Sequence, residues 1–265
     1  MPLRWSKQQE ERHRKQLHAL YVKRNLTIAQ IGKQLHISEK TVFQRLRRLG
    51  IPTSPKSKPN AIALLRTDIA IPKKYTKELA EFIGIMLGDG KLSYFQIVVT
   101  LGSKEESYAQ YVVARIASIF KVSPKIAIRS TGYRDVYLGS VTLSKWLKGQ
   151  GLAYNKVLAQ VNAPRWIFSR PEYMKRCIRG FFDTDGSVYK LRWGHQISFS
   201  NRSAPLLKSI RDMLLLLEYS PSRISGTNLY ITKREDVSRF FKEINPQNSK
   251  HRVRFEKFLK QRADS

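Results

Sequence analysis

The feature that most constrains this chain is an internal repeat. EFIGIMLGDGKL (81–92) matches CIRGFFDTDGSV (177–188), and QIVVT (96–100) matches QISFS (196–200). KVSPKI (121–126) matches EYSPSRI (218–224) with one extra residue, and VYLGS (136–140) matches LYITK (229–233). The order is the same in both copies and the offset stays near 93–100 residues. Chance is a poor explanation for four ordered matches, so the chain beyond residue 75 is expected to fold as two copies of one unit. Each copy reads as helix, two strands, helix, two strands, helix. The β-branched and aromatic runs QIVVTLG, DVYLGSV, HQISFSN and NLYIT carry the strands. Apolar spacing in ESYAQYVVARIASIF and APLLKSIRDMLLLLEY carries the helices. Two such copies imply a pseudo-twofold arrangement, with two antiparallel sheets side by side in a saddle that would fit over a nucleic-acid duplex.

Charge points to the same kind of partner. The 265 residues carry 49 Lys and Arg against 20 Asp and Glu, a net of +29. That excess implies a polyanion, most often nucleic acid. Residues 1–75 hold 17 basic and 4 acidic side chains, a net of +13, which leaves +16 for the rest. Both parts are therefore expected to touch the polyanion. No apolar run reaches the ~20 residues that span a bilayer. The N-terminus lacks a signal-type apolar stretch, so an intracellular protein without a membrane partner is expected. The single cysteine, Cys177, excludes an internal disulfide and a cysteine zinc site, and five scattered histidines give no metal-ligand spacing.

The first fifty residues read as three helices. Residues 8–24 form an amphipathic helix with Leu17, Leu20 and Tyr21 on its apolar side, and Asn25 ends it. Thr27 caps a second helix, IAQIGKQL, with Gln30 completing a capping box. Residues 36–38 make a turn, and Ser38 caps a third helix, EKTVFQRLRRLG. Ile28, Ile31, Leu35, Ile37, Val42, Leu46 and Leu49 supply a small core, which leaves Lys40, Gln44, Arg45, Arg47 and Arg48 facing outward. The pattern resembles a helix-turn-helix module, whose last helix lies in the DNA major groove. His36 stands near the place where such turns usually have glycine. The competing reading is a helical hairpin with a solvated basic face. Four of the eleven prolines fall in residues 51–74, a Pro/Ser/Lys-rich linker. The expected organisation is an all-α module over 1–51, a linker over 52–75, one repeat over 76–163 and a second over 164–265.

The repeated core carries the chemistry. Phe82-Ile-Gly-Ile-Met-Leu-Gly-Asp-Gly90 and Ile178-Arg-Gly-Phe-Phe-Asp-Thr-Asp-Gly186 are apolar helices that end in Asp-Gly. They resemble the two LAGLIDADG motifs of a monomeric homing endonuclease, over roughly residues 76–258. The resemblance implies an α+β fold of two αββαββα repeats, preceded here by the small all-α module. It also implies a function: site-specific double-strand cleavage of a long DNA target by divalent-metal-dependent hydrolysis. Gly84 and Gly180 remove a side chain where the two helices would press together, at a cost of about 1 kcal/mol each in helix stability. If the helices pair, Asp89 and Asp185 meet at the negative ends of two helix dipoles and repel each other. A divalent cation relieves this, and oxygen-only ligands favour Mg²⁺. The resemblance implies that Asp89 and Asp185 ligate metal, one per cut strand, with the backbone carbonyls of Gly88 and Thr184 as further ligands. It implies that Mn²⁺ substitutes and that Ca²⁺ binds without supporting efficient cleavage. Asp183 stands where the first copy has Leu87, so it reads as structural.

Family resemblance also places a lysine after the last helix of each repeat, and Lys156 and Lys250 occupy those places. Each could polarise the attacked phosphate or order the attacking water, or make a plain phosphate contact. Asn201 matches a water-ordering polar position, although its nearest counterpart is Leu101. DNA is expected to be read by strand side chains: Lys91, Ser93, Gln96, Arg129, Arg134, Lys190, Arg192, Gln196, Arg223 and Lys233. Arg pairs well with guanine and Gln with adenine in the major groove. Two other classes remain open, a non-catalytic transcription regulator of the same ancestry and an intron RNA maturase that would bind RNA. Intact Asp-Gly endings favour the nuclease. The chain begins Met-Pro and lacks a terminal His-Asn, so an intein is not expected.

Overall fold

A computed structural model describes residues 5–24, 26–51, 53, 68–192 and 194–263. The chain divides into two compact units, residues 1–64 and 65–265. Asn25 and most of the expected linker (52 and 54–67) lie outside the described residues.

In the first unit, α1 (Lys7–His18) continues through a π-helical turn (Ala19–Lys23), followed by α2 (Ile28–Leu35) and α3 (Glu39–Arg48). Thr27 and Gln30 form a reciprocal capping box at the start of α2, and the Ser38 hydroxyl accepts the Thr41 N–H at the start of α3. His36 ends α2 with φ +53°, the left-handed conformation that favours glycine, so the turn bends there without one. Leu17, Leu20, Tyr21, Ile31, Val42, Leu46, Leu49 and Ile51 form the core, while Ile28, Leu35 and Ile37 are only partly covered at its edge.

The second unit is mixed α/β with antiparallel sheets. Its first half runs α4 (Lys77–Leu87), β1 (Gly90–Leu92), β2 (Gln96–Leu101), α5 (Glu106–Phe120), β3 (Lys125–Ile128), β4 (Arg134–Gly139) and α6 (Val141–Gly149). The sheet order is β1-β2-β4-β3. After a 3₁₀ turn (Arg165–Ser169), the second half runs α7 (Pro171–Asp185), β5 (Gly186–Leu191), β6 (Gly194–Ser200), α8 (Ala204–Leu216), β7 (Asn228–Ile231), α9 (Arg234–Glu243) and α10 (Ser249–Ala263). Its sheet has three strands, β5-β6-β7, so the second copy departs from the expected four. Residues 222–225 run beside β7 but make only one isolated bridge, Ser225 with Asn228. The reason is local. The Ser222 hydroxyl, 3.1 Å away, accepts the Tyr230 N–H that a ladder carbonyl would otherwise take, and Pro221 has no N–H to offer.

The two halves are joined by α4 and α7. Every residue of α4 from Leu79 to Leu87 is buried, as is α7 from Cys177 to Thr184. A Cβ added to Gly84 would collide with the Cys177 carbonyl of α7, and one added to Gly180 with the Glu81 carbonyl of α4. The two glycines thus allow backbone contact in both directions. Glu81 is fully buried near the helices' N-terminal ends. Its carboxylate pairs with Arg176 at 2.8 Å and Arg115 at 3.5 Å and accepts the Tyr111 hydroxyl. Cys177 is buried, and its thiol is pushed up to about 12 by that burial, so it is an inert packing group.

Candidate active site

The glycine contact determines what happens one and a half turns later. Both helices run toward the sheets, and their ends bring Asp89 and Asp185 into mutual electrostatic reach. The Asp185 carboxyl carbon lies 3.6 Å from where a Cβ on Gly88 would stand. Burial, and then the charge of Asp185, push the Asp89 carboxyl up to about 6. Burial also raises Asp185, partly offset by an N–H···O bond of 2.8 Å from the Asn201 amide and by Lys156 and Lys250.

The lysines cross between the repeats. Lys156 follows the first repeat, yet it acts more strongly on Asp185 than Lys250 does. Its ammonium donates to the carbonyls of Met86 (3.1 Å), Leu87 (3.0 Å) and Gly88, the unsatisfied end of α4. Burial lowers its pKa against the pull of both aspartates. The segment around it contacts the second repeat: the Ser203 hydroxyl donates to the Val161 carbonyl at 2.6 Å, and the Ala204 N–H to Gln160 at 3.2 Å. Lys250 follows the second repeat and acts more strongly on Asp89 than Lys156 does. Its ammonium pairs with Glu105 of the first repeat at 2.8 Å. Two unlike half-sites result: Asp185 with Asn201, and Asp89 with Lys250 and Glu105, while Lys156 rests on the end of α4 next to Asp89 and acts on both carboxylates.

Asp183 is not part of this centre. It is buried on α7, where its carboxylate accepts the N–H groups of Gln247 (3.0 Å) and Asn248 (3.1 Å) and anchors the loop ahead of Lys250. Burial pushes it up to about 7. The Thr184 hydroxyl donates to the carbonyls of Gly180 (3.1 Å) and Phe181 (2.9 Å), which turns it back along its own helix. Among the described residues no cluster of three or more His, Cys, Asp or Glu side chains is placed to hold a metal. The donor set is two carboxylates and helix-end carbonyls. That set fits a hard cation that keeps several waters.

With this geometry in view, the second half matches the family model for the LAGLIDADG-like domain over residues 172–245. A curated protein, the replication factor C small subunit of Methanocaldococcus jannaschii, is 26% identical over 142 residues, 53% of this chain. The chain spans only 7% of that protein's length. Solved structures of similar shape include the homing endonuclease I-DmoI in complex with DNA and Mn (16% identical, 63% of this chain, 96% of that one, TM-score 0.47). They also include I-WcaI bound to its DNA recognition sequence (14%, 76%, 95%, 0.45) and the N-terminal LAGLIDADG domain of DUF199/WhiA (18%, 68%, 88%, 0.45).

Strand register decides which side chains share the open face of each sheet, the face away from the helices. In β2 the buried residues are Ile97, Val99 and Leu101, so Gln96, Val98 and Thr100 face out, with Lys91 opposite Val98 and Tyr137 in line. Arg134 pairs with Leu101 and shares the helix-side face. It bonds Glu106 at 3.0 Å and the Ser103 carbonyl, so the expectation that it reads DNA is corrected. Ser93 is likewise committed, its hydroxyl closing the β1–β2 turn on Gln96. Arg129 is on the open face but forks onto Asp135 at 2.7 and 2.8 Å. In the second sheet, Gln196 faces out beside Tyr189, with Val188 and Ile197 inward. Lys190 has the parity of Val188 and pairs with His195, whose ring meets Phe255 of α10 at 6.0 Å, but its side chain is exposed toward the hairpin end. Arg192, Arg223 and Lys233 are exposed, at a hairpin end, beside β7 and at the start of α9.

On α3, Lys40, Gln44 and Arg48 are exposed and Arg45 is half-buried. The Trp5 ring lies 5.4 Å from the Arg45 guanidinium and 4.5 Å from that of Arg48. Sequence reasoning missed Glu105, which has no acidic counterpart in the second copy, where Pro205 stands. It also missed Lys125, on the open face of β3 opposite Tyr137.

Proposed function

We propose that this chain is a site-specific endonuclease that cuts both strands of a DNA duplex with a divalent cation, Mg²⁺ or Mn²⁺. One observation carries the reading: the reciprocal contact of Gly84 and Gly180 sets Asp89 and Asp185 side by side, with a lysine beside each. Two buried carboxylates at converging helix ends are costly as a bare pair, and a cation between them offsets that cost. Asp89, Asp185 and the carbonyl oxygen of Thr184 would hold it, with the Gly88 carbonyl joining once the Lys156 ammonium is displaced from it. When bound, such a cation supplies Lewis acidity, lowering the pKa of water and offsetting phosphate charge.

This chain's own residues do the rest. Asn201 orients the Asp185 carboxylate, its amide nitrogen donating to Asp185 while its oxygen accepts the Ser203 N–H at 2.9 Å. Lys156 and Lys250 bring positive charge to a phosphate that gains negative charge during attack. Lys91, Gln96 and Gln196 face the duplex and read base edges, with Lys125, Arg129, Arg192, Arg223 and Lys233 on phosphates or bases. In the first unit, α3 enters the major groove of flanking DNA as the last helix of a helix-turn-helix, using Lys40, Gln44, Arg45 and Arg48. Because both acids reside in one chain, a monomer suffices.

The test is cleavage of a randomised-site plasmid library in Mg²⁺, with Ca²⁺ and an Asp89→Asn/Asp185→Asn variant alongside. Discrete double-strand cuts with Mg²⁺, absent from the variant, are expected. Tight, salt-sensitive binding to a confirmed site without any cut would overturn the nuclease reading in favour of a regulator or an RNA maturase.

A further inference from the structure

The two half-sites differ most at Glu105. This residue precedes α5 in the first repeat and its side chain is 13% exposed. One carboxylate oxygen accepts the Gly102 N–H at 2.5 Å, which fixes the side chain against its own repeat. The other accepts the Lys250 ammonium at 2.8 Å and the Asn248 amide at 2.5 Å, both from the second repeat. Asn248 is itself fully buried and donates to the Asp183 carbonyl at 2.9 Å. Burial alone would raise the Glu105 carboxyl, but the bonds from Lys250, Asn248 and Gly102 hold it below its ordinary value, so it is an anion at neutral pH. Among the described residues Glu105 is the ion-pair partner of Lys250. Among the described residues Lys156 makes no such ion pair and rests instead on the helix-end carbonyls of α4.

We propose that Glu105 is a positioning residue that holds Lys250 in the Asp89 half-site from across the repeat boundary, which makes the two strand-cutting half-sites unequal in chemistry. The inference rests on the nuclease reading for its catalytic consequence. The tether itself does not.

The consequence is read on a supercoiled plasmid carrying the target, where nicked and linear products separate. Glu105→Gln keeps the shape and loses the charge. Removing an orienting partner of this kind typically costs about 10- to 100-fold. Nicked circles are expected to accumulate because one strand slows by that factor, while the other strand and the Kd measured in Ca²⁺ change less than about 2-fold. Lys250→Met is expected to give the same strand split, and adding Glu105→Gln to it should cost nothing further. Equal slowing of both strands, no slowing, or full additivity with Lys250→Met would overturn the proposal. The tether is read separately by competitive acetylation of the full chain, with mass spectrometry of each lysine. In Glu105→Gln, Lys250 should react several-fold faster, with Lys156 unchanged. If the wild type cuts no DNA, the nuclease reading fails. Lys250 reactivity indifferent to Glu105 overturns the tether in either case.

Discussion

Asp89→Asn should stabilise the metal-free protein, and only above a definite pH. An ordinary Asp carboxyl titrates near 3.8, whereas Asp89 titrates near 6. A carboxyl with a raised folded-state pKa favours the fold in its protonated form. That stability is fully present below about 4 and is lost as the pH rises through about 6. At about 1.4 kcal/mol per pH unit, the loss reaches at most about 3 kcal/mol. Asparagine is close to the protonated acid in shape and carries no charge to bury beside Asp185. In EDTA, the variant and wild type should melt together near pH 4, separate between pH 4 and 6 and stay apart above that, with the variant ahead by up to about 3 kcal/mol. For a unit of roughly 200 residues that is about 6–12 °C in Tm. Mg²⁺ should close the gap, since it binds the folded wild type and stabilises it by mass action.

The assay is a thermal melt of both proteins from pH 4 to 8, with EDTA or Mg²⁺. Taking the difference between the two proteins cancels Asp183 and Glu105, which titrate in both. If Asp89 merely ended a helix, the difference would be flat with pH and indifferent to Mg²⁺. A flat difference, or a variant less stable than wild type at pH 7.5 in EDTA, would refute the account of a strained carboxylate pair.

Gly84→Ala should destabilise the second unit by about 2 kcal/mol, because the overlap is with α7 backbone that cannot rotate away; overpacking of 1–3 kcal/mol exceeds the roughly 1 kcal/mol helix gain. A melt showing stabilisation would exclude the close approach. His251 is buried against Phe182 at 4.5 Å, and neither ring nitrogen has a hydrogen-bond partner of ordinary geometry among the described residues. Burial, then Lys250, lower its pKa to about 3, so its stability contribution is present above 6.5 and lost as the pH falls. His251→Phe should therefore be within about 1 kcal/mol of wild type at pH 7 and unfold at lower pH on acid titration. An earlier acid transition would contradict this. Deleting residues 1–60 should weaken DNA binding and flatten its salt dependence by roughly 2–4 in log–log slope, while leaving the cut position unchanged. A shifted or lost cut would mean that α3 takes part in choosing the site.

What could be read in advance follows from what each feature depends on. Gly84, Gly180, Asp89 and Asp185 were legible because the repeat places them at equal intervals, and repetition of a costly residue such as a helical glycine is informative by itself. The capping residues Thr27 and Ser38 were legible because their partners lie three residues away. Arg134 is misread from the sequence because a strand shows its faces only once its register is known, and a shift of one residue exchanges them. The fourth strand of the second sheet was misread because one serine hydroxyl replaced a ladder bond.

Glu105 illustrates a different kind of silence. Comparison of the repeats finds what the two copies share, and Glu105 stands opposite Pro205. Its importance arises only when the loop at 245–250 crosses to the first repeat, as the segment at 156–161 crosses to the second. The crossing is unequal: Lys250 of the second copy pairs with Glu105 of the first, whereas the Lys156 ammonium rests on the end of its own repeat's α4, beside Asp89. The two halves have therefore diverged where their surroundings differ, as Asn201 and Leu101 show, and a change in the loop at 245–250 acts across the repeat boundary through Glu105.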